Sequence, residues 1–410
     1  MPRAAVSVLC LTVLSLTQSC NQAPSARVDA QLSAEIDQIQ AIDNHAHPVR
    51  PVAQGEAPDK DYDALPVENL EPESDPVPMR SGARELADAH RSLGDDRDDP
   101  AKVLDRAGIQ IMIANRVAMG PGLPAARFLW VAYADALMYP LDNRALITNP
   151  DRKSFFALEE HLLARYYRES GVEKRPAKLD DYLEKVVKAT IDRHKQSGAI
   201  GEKFEMAYLR PLAIQNPTRA EAESAWVGKG DYRVLQDYIF HFIALECGRL
   251  NMAVHIHTGS GGGGYFDIAG SNPLLLETVL NDASLRATDF VMLHGGWPFS
   301  RYISPLIEKP NAWADYSAQA LLISRQELAR TLQSWLEFVP EKVLFGTDAY
   351  PYSPDQGWQE TAVASARAGR GALKIALSQM MRDGEITEDR AVELARMVLR
   401  DNARKLYHLK

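Results

Sequence analysis

One pattern constrains this chain more than any other: eight times over, a short apolar run is followed by a longer stretch whose apolar residues recur at helical spacing. In chain order the runs are AIDNHAH (41–47), GIQIMIANR (108–116), FLWVAYAD (128–135), AIGEKFEM (199–206), MAVHIHTG (252–259), FVMLHGG (290–296), AWADYS (312–317) and KVLFGTDA (342–349). Near-continuous apolar runs separated by helices read as parallel strands covered on both faces. Eight such units predict an α/β fold of the (β/α)8 TIM barrel type.

A barrel of this kind needs about 250 residues, and the chain has 410. The excess falls in two places: a long acidic, proline-rich loop insertion after strand 1, at about 50–100, and a helical insertion between strands 3 and 4, at about 140–197. The first reads as a lid or substrate-shaping loop, with a structural wrap as the alternative. Ahead of the barrel, residues 1–20 carry Arg3, an apolar run over 4–16 and the ending LTQSC at Cys20. That run is too short to span a bilayer and reads as a signal peptide. Its ending resembles a bacterial lipoprotein signal, so an exported protein is expected, either anchored to the membrane through a lipid on Cys20 or cleaved near Ser25 and periplasmic. Residues 21–37 then form a polar tether and 38–410 the barrel domain. Cys247 sits in an apolar helical run, and no structural disulfide is expected.

Strand 1 brings chemistry into this frame. Side chains alternate along a strand, so His45 and His47 share a face with Asp43, while Asn44 and Ala46 turn away. Two imidazoles at the C-terminal end of an inward-facing strand can converge on one cation. A lone pair of this kind also occurs in cores and on surfaces, but other predicted strands end in the same residue types: His255 and His257, His294, and Asp348. Active sites of these barrels gather at the C-terminal face. Packing alone gives no reason for four strands to end in imidazole or carboxylate.

These residues, with GEK followed by AYLR on strand 4, HTG with a downstream NP on strand 5, LHGGWPF on strand 6, GTDA on strand 8 and the closing LRDNARKLYHL, resemble the amidohydrolase superfamily, in particular its amidohydrolase-2 branch, over about residues 38–410. The resemblance implies a metal site with His45, His47, His257 and Asp348 as ligands, and His294 as an electrostatic or acid–base group beside the substrate. His255, deeper on the same face as His257, is either a packing residue behind the ligands or a substrate-side group. The resemblance also implies that Asp348 takes a proton from the attacking water and returns it to the leaving group. Lys203 is either a carboxylated bridge between two ions or a plain salt-bridged lysine. Imidazole and carboxylate donors suit Zn2+, with Mn2+ or Fe2+ as alternatives, and either one or two ions.

Charge narrows the partners. With 46 Lys and Arg against 55 Asp and Glu, the net charge is -9, and no basic face for nucleic acid is expected. A small-molecule substrate is expected, with the membrane reached only through the lipid anchor, and a homo-oligomer is compatible with the sequence. Arg116 and Arg210 are candidate carboxylate clamps, because a guanidinium fork matches two oxygens; surface arginine is the alternative. GSGGGGYFD (259–267) lacks the lysine-and-hydroxyl ending of a phosphate loop and reads as a mobile rim. The expected function is a metal-dependent hydrolase of an amide, lactone or related C–N or C–O bond. The alternatives are a non-oxidative decarboxylase on the same site, or a non-catalytic binding lipoprotein.

Overall fold

The structure is a computed structural model and describes residues 28–49, 80–120, 122–262, 265–351 and 356–410. Eight parallel strands follow one another in chain order: β1 (Ala41–Ala46), β2 (Ile109–Arg116), β3 (Phe128–Tyr133), β4 (Ala199–Phe204), β5 (Ala253–His257), β6 (Phe290–Leu293), β7 (Ala312–Asp315) and β8 (Val343–Leu344). All eight lie within the runs expected from sequence. β8 is short, and the barrel closes beyond it: Asn44 N donates to Phe345 O, Asp348 N to His45 O and His47 N to Ala349 O, at 2.9, 2.8 and 2.6 Å.

The barrel interior is layered. Ile42, Ile113, Val131, Ala253, Val291, Leu293, Trp313 and Leu344 fill its lower part, packed against Ala403, Leu406 and Tyr407 at the end of the chain's last helix. The outer faces of the strands pack against the surrounding helices in a second, larger core. Polar side chains occupy the inner face only above the apolar layer, toward the C-terminal ends of the strands.

Three expectations change. Residues 30–37, expected in the tether, belong to a helix, Ala30–Gln38, capped by Asp29, whose carboxylate accepts from Leu32 N. Leu32 and Ile36, one helical turn apart, are fully buried. The helix is bound to the barrel by Arg370, a buried guanidinium on the helix Trp358–Arg382 that donates to Ile36 O, Ile39 O and Gly108 O, each at 2.8 Å. Arg370→Ala would remove three hydrogen bonds from a buried guanidinium and is expected to cost about 3 kcal/mol, read as a lower midpoint in urea denaturation.

The second change concerns the insertion after β1, which ends in structure and not in loop. A helix Arg80–Leu93 lies against Trp358–Arg382, and Pro100–Ala107, capped by Asp99 with proline at its first turn, leads into β2. The lid reading of residues 50–79, like the signal and anchor readings of 1–27, lies outside the described residues. Among the described residues no helix is long and apolar enough to cross a membrane. The insertion between β3 and β4 is helical as expected. Its helix Lys153–Glu169 docks on the barrel mouth through Tyr166, whose hydroxyl donates to Tyr133 O at 2.6 Å.

The third change is in β1 itself. Asp43 pairs with Met112 and Ala46 with Ala114, so three steps on β1 face two on β2. One extra residue is a β-bulge, which breaks strict alternation. Asp43 therefore leaves the face of His45 and instead accepts from Thr347 N and Oγ1 at 2.9 and 2.5 Å, at the seam with β8. Asn44, expected to turn away, faces the barrel axis together with His45.

Candidate metal centre

The bulge decides the geometry above the apolar layer. His45 Nε2 lies 3.1 Å from Asp348 Oδ1, His47 Nε2 lies 3.4 Å from the same oxygen, and the two Nε2 atoms are 3.2 Å apart. His294 joins this group, with potential donor atoms of His45, His294 and Asp348 all within 4.8 Å of one another. Its ring centroid is 5.0 Å from that of His45 and 4.6 Å from that of His257.

Two of these side chains sit on left-handed backbone: His294 has φ 63° and Asp348 φ 53°. Such conformations cost on the order of 1 kcal/mol or more outside glycine and concentrate where a side chain must be aimed. The glycine after His294 is required by space as well as by φ, because a Cβ at Gly295 would lie 2.2 Å from the Trp335 ring.

Protonation follows from burial and from partners. Burial, with the Lys203 charge second, holds His45 well below the usual imidazole value and His257 down at about 3; burial lowers His294 to about 4. All three are neutral at pH 7, the form that offers a lone pair. Burial on its own would raise the Asp348 carboxyl, but His294 and the bonds to His45 and His47 outweigh it and keep it ionised. The hydrogen bonds assign the tautomer of His294. Ser317 Oγ donates to Asp315 Oδ1 at 2.6 Å, so its 2.9 Å contact with His294 Nδ1 is accepted from an Nδ1–H, leaving Nε2 with the lone pair. Tyr133 OH, 3.1 Å from His47 Nδ1, turns the Nε2 of that ring toward the carboxylate.

This donor set fits a divalent ion. Three atoms separated by 3.1–3.4 Å match the edge of a tetrahedron with bonds of about 2.0–2.1 Å, the range of Zn–N and Zn–O ligation. Neutral imidazoles and an ionised carboxylate are also the ligand forms such an ion requires.

The remaining expected residues are placed differently. His257 Nδ1 faces Glu205 Oε2 at 3.4 Å and its Nε2 lies 3.2 Å from Ser260 O. Its one N–H goes to Ser260 O, and its ring stands against that of His294, beside the converging trio. Lys203 Nζ is 2.6 Å from Glu205 Oε1, an ion pair between two buried side chains. His255 is fully buried below, its Nε2 2.7 Å from Tyr407 OH, a packing and hydrogen-bonding position behind the ligands and not a substrate-side one. Arg116 and Arg210 are buried, not on the surface. Arg116 donates to Ala118 O and Pro48 O, fastening β2 to the end of β1. Arg210 pairs with Asp237 at 2.6 Å and donates to Gln236 Oε1, Pro211 O and Ala213 O, so its fork is closed by the protein. Gly263 and Gly264 of the glycine-rich rim lie outside the described residues.

Sequence reasoning missed Asn44, Tyr133, Asp315, Ser317 and Tyr407. For Asp315 and Ser317 a signal existed, because ADYS ends a predicted strand with two polar residues at alternate positions. Tyr407 has no local signal.

Comparison with known proteins bears on the family and the fold. The family model described as amidohydrolase matches residues 170–409, more than half of the chain. The match begins beyond β3, so the β1 histidines join it only through the closed barrel. Protein fluG of Emericella nidulans is 29% identical over 161 residues, 39% of this chain, and the match spans 18% of that protein's length. Among solved structures, one from Lactobacillus casei described as a metal-dependent hydrolase superposes with a TM-score of 0.65 at 17% identity, covering 92% of this chain and 97% of that one. Glucuronate isomerase of Caulobacter crescentus gives 0.58 at 14% identity, with 93% of each chain covered. At these identities the structures establish a shared barrel.

Proposed function

Since the chain belongs to the amidohydrolase family, we propose that it is a metal-dependent hydrolase that activates water to cleave an amide, lactone or related C–N or C–O bond of a small molecule. The observation that carries this reading is the meeting of His45 Nε2, His47 Nε2 and Asp348 Oδ1 within 3.4 Å at the C-terminal face of the barrel. His45, His47 and Asp348 would hold the ion, with the neighbouring His294 and His257 rings closing the site. Zn2+ suits these donors best, and Mn2+ or Fe2+ are accommodated by the same set. When bound, such an ion supplies hydroxide near neutral pH and polarises a carbonyl.

The chain's own groups do the rest. Asp348 turns Oδ1 toward the two β1 histidines and Oδ2 toward His294, whose Nδ1 is 3.8 Å away. Oδ2 is the atom placed to take the proton of the attacking water and to return it to the leaving group. His294, its Nδ1–H given to Ser317, keeps the Nε2 lone pair free to accept from a substrate group or a water. Burial of all these side chains strengthens each charge–dipole contact.

The test is a panel of amides, lactones and related esters on metal-loaded protein, with metal content measured alongside and released CO2 followed to detect a decarboxylase. Turnover that tracks bound metal is expected. Protein that retains no divalent ion after loading would sink the reading. The pairing of Lys203 with Glu205 favours a single ion, so close to one ion per chain is expected, and Lys203→Ala should keep it. Two ions per chain, falling to one in that variant, would restore the bridging role of Lys203.

A further inference from the structure

Below the candidate metal centre a continuous hydrogen-bonded path crosses the barrel. Tyr407, which follows the helix Asn402–Leu406, donates its hydroxyl to Asn44 Oδ1, and its oxygen meets His255 Nε2 at 2.7 Å. Because the single hydroxyl proton goes to Asn44, His255 is the donor at the second contact. Asn44 Nδ2 donates to Asp315 Oδ2 at 2.7 Å. Asp315 Oδ1 accepts from His294 N at 2.8 Å and from Ser317 Oγ at 2.6 Å, and Ser317 Oγ accepts from His294 Nδ1. Every donor on this path meets an acceptor, and every residue on it is buried. It passes through the β1 bulge that turns His45 inward and ends at the left-handed backbone of His294.

We propose that Tyr407 is a positioning residue for the metal centre, holding Asn44 in the bulge and, through Asp315 and Ser317, the aim of His45 and His294. The closing helix is then part of the functional unit as well as the apolar plug. A bulge re-aims the side chain it carries, and a side chain tied at both its amide atoms is held in one orientation. Removing the hydroxyl leaves the Asn44 carbonyl without its donor in a dry layer and loosens that choice. The inference rests on the metal-centre reading.

The experiment compares full-length parent, Tyr407→Phe, Asn44→Ala and Leu406→Ala. Zn2+ affinity is read by chelator competition, the Co2+ visible spectrum reports ligand geometry, and urea denaturation reports stability. Tyr407→Phe is expected to bind Zn2+ about tenfold more weakly, the low end for residues that orient ligands, and to shift the Co2+ bands. Asn44→Ala, which breaks the path one bond further on, should do the same and decides the matter if Tyr407→Phe does not fold. Leu406→Ala should lose stability and keep both the affinity and the spectrum. Unchanged Zn2+ affinity and Co2+ spectrum in Tyr407→Phe overturn the proposal, and so does weakening in Leu406→Ala equal to that in Tyr407→Phe. A parent that binds neither ion shows instead that the metal reading itself has failed.

Discussion

Asp348→Asn is expected to fold, to keep most of its metal and to lose roughly 10²–10⁴ in turnover, the range for a positioned acid–base group. Asparagine retains the size of the side chain and an oxygen that can face His45 and His47, now 3.1 and 3.4 Å from Asp348 Oδ1. What it lacks is a second oxygen able to take a proton. The barrel seam survives as well, because the bond between positions 348 and 45 runs from Asp348 N to His45 O and is made by the backbone. The pH profile supplies a separate check. In the metal-free chain His294 and the bonds from His45 and His47 hold the Asp348 carboxyl below its usual range, against the effect of burial, and the charge of a bound ion would act in the same direction. A base must be ionised, so activity falls as pH drops through its pKa, and the acid limb should lie below the ordinary value of about 3.9. In Asp348→Asn that limb should vanish. A variant turning over within a few-fold of the parent at saturating metal would remove this carboxylate as the base and point to Glu205 or His294.

His45→Ala and His47→Ala are expected to fail in a different way, losing metal and activity together. Each deletes one of the two nitrogens that converge to 3.2 Å and would hold the ion. Residues that only orient a ligand cost about 10- to 100-fold in affinity when removed, so loss of a ligand should exceed about 100-fold. After dialysis against a chelator the parent should retain its ion and both variants should be empty, with turnover at background. Excess metal should restore part of the activity of these variants but none of that lost in Asp348→Asn. If His45→Ala holds metal as firmly as the parent, the centre lies elsewhere in the barrel, with His257 and Glu205 the nearest alternative donors.

Much of this molecule is legible along the chain, and the division between what is and what is not has a physical cause. The eight strands, the order in which they pair, the helical insertion before β4 and the gathering of His45, His47, His257, His294 and Asp348 at one end of the barrel all follow from local periodicity and from the residue types at strand ends. Periodicity is a property of neighbours in sequence, and the parallel sheet turns it directly into position. The face on which Asp43 and Asn44 stand could not be read in this way. The β1 bulge exists only as a mismatch against β2, and a single strand carries no record of its partner's register. The fates of Arg116 and Arg210 were hidden for the same reason: a guanidinium looks free until Pro48 and Ala118, or Asp237 and Gln236, are brought against it. The helix at residues 30–38 reads as polar until its two buried side chains find the surface that Arg370 fastens. The partner of Lys203 in the folded chain, Glu205 at 2.6 Å, likewise appears only once the end of β4 is placed. Tyr407 is the furthest case, joined to Asn44 across 363 positions of sequence. Sequence alone determined the barrel and the chemical identity of its rim. Closure of the barrel decided which donors meet and which side chains hold them there, because contacts between distant residues arise only when the last strand and the closing helix come back to the first.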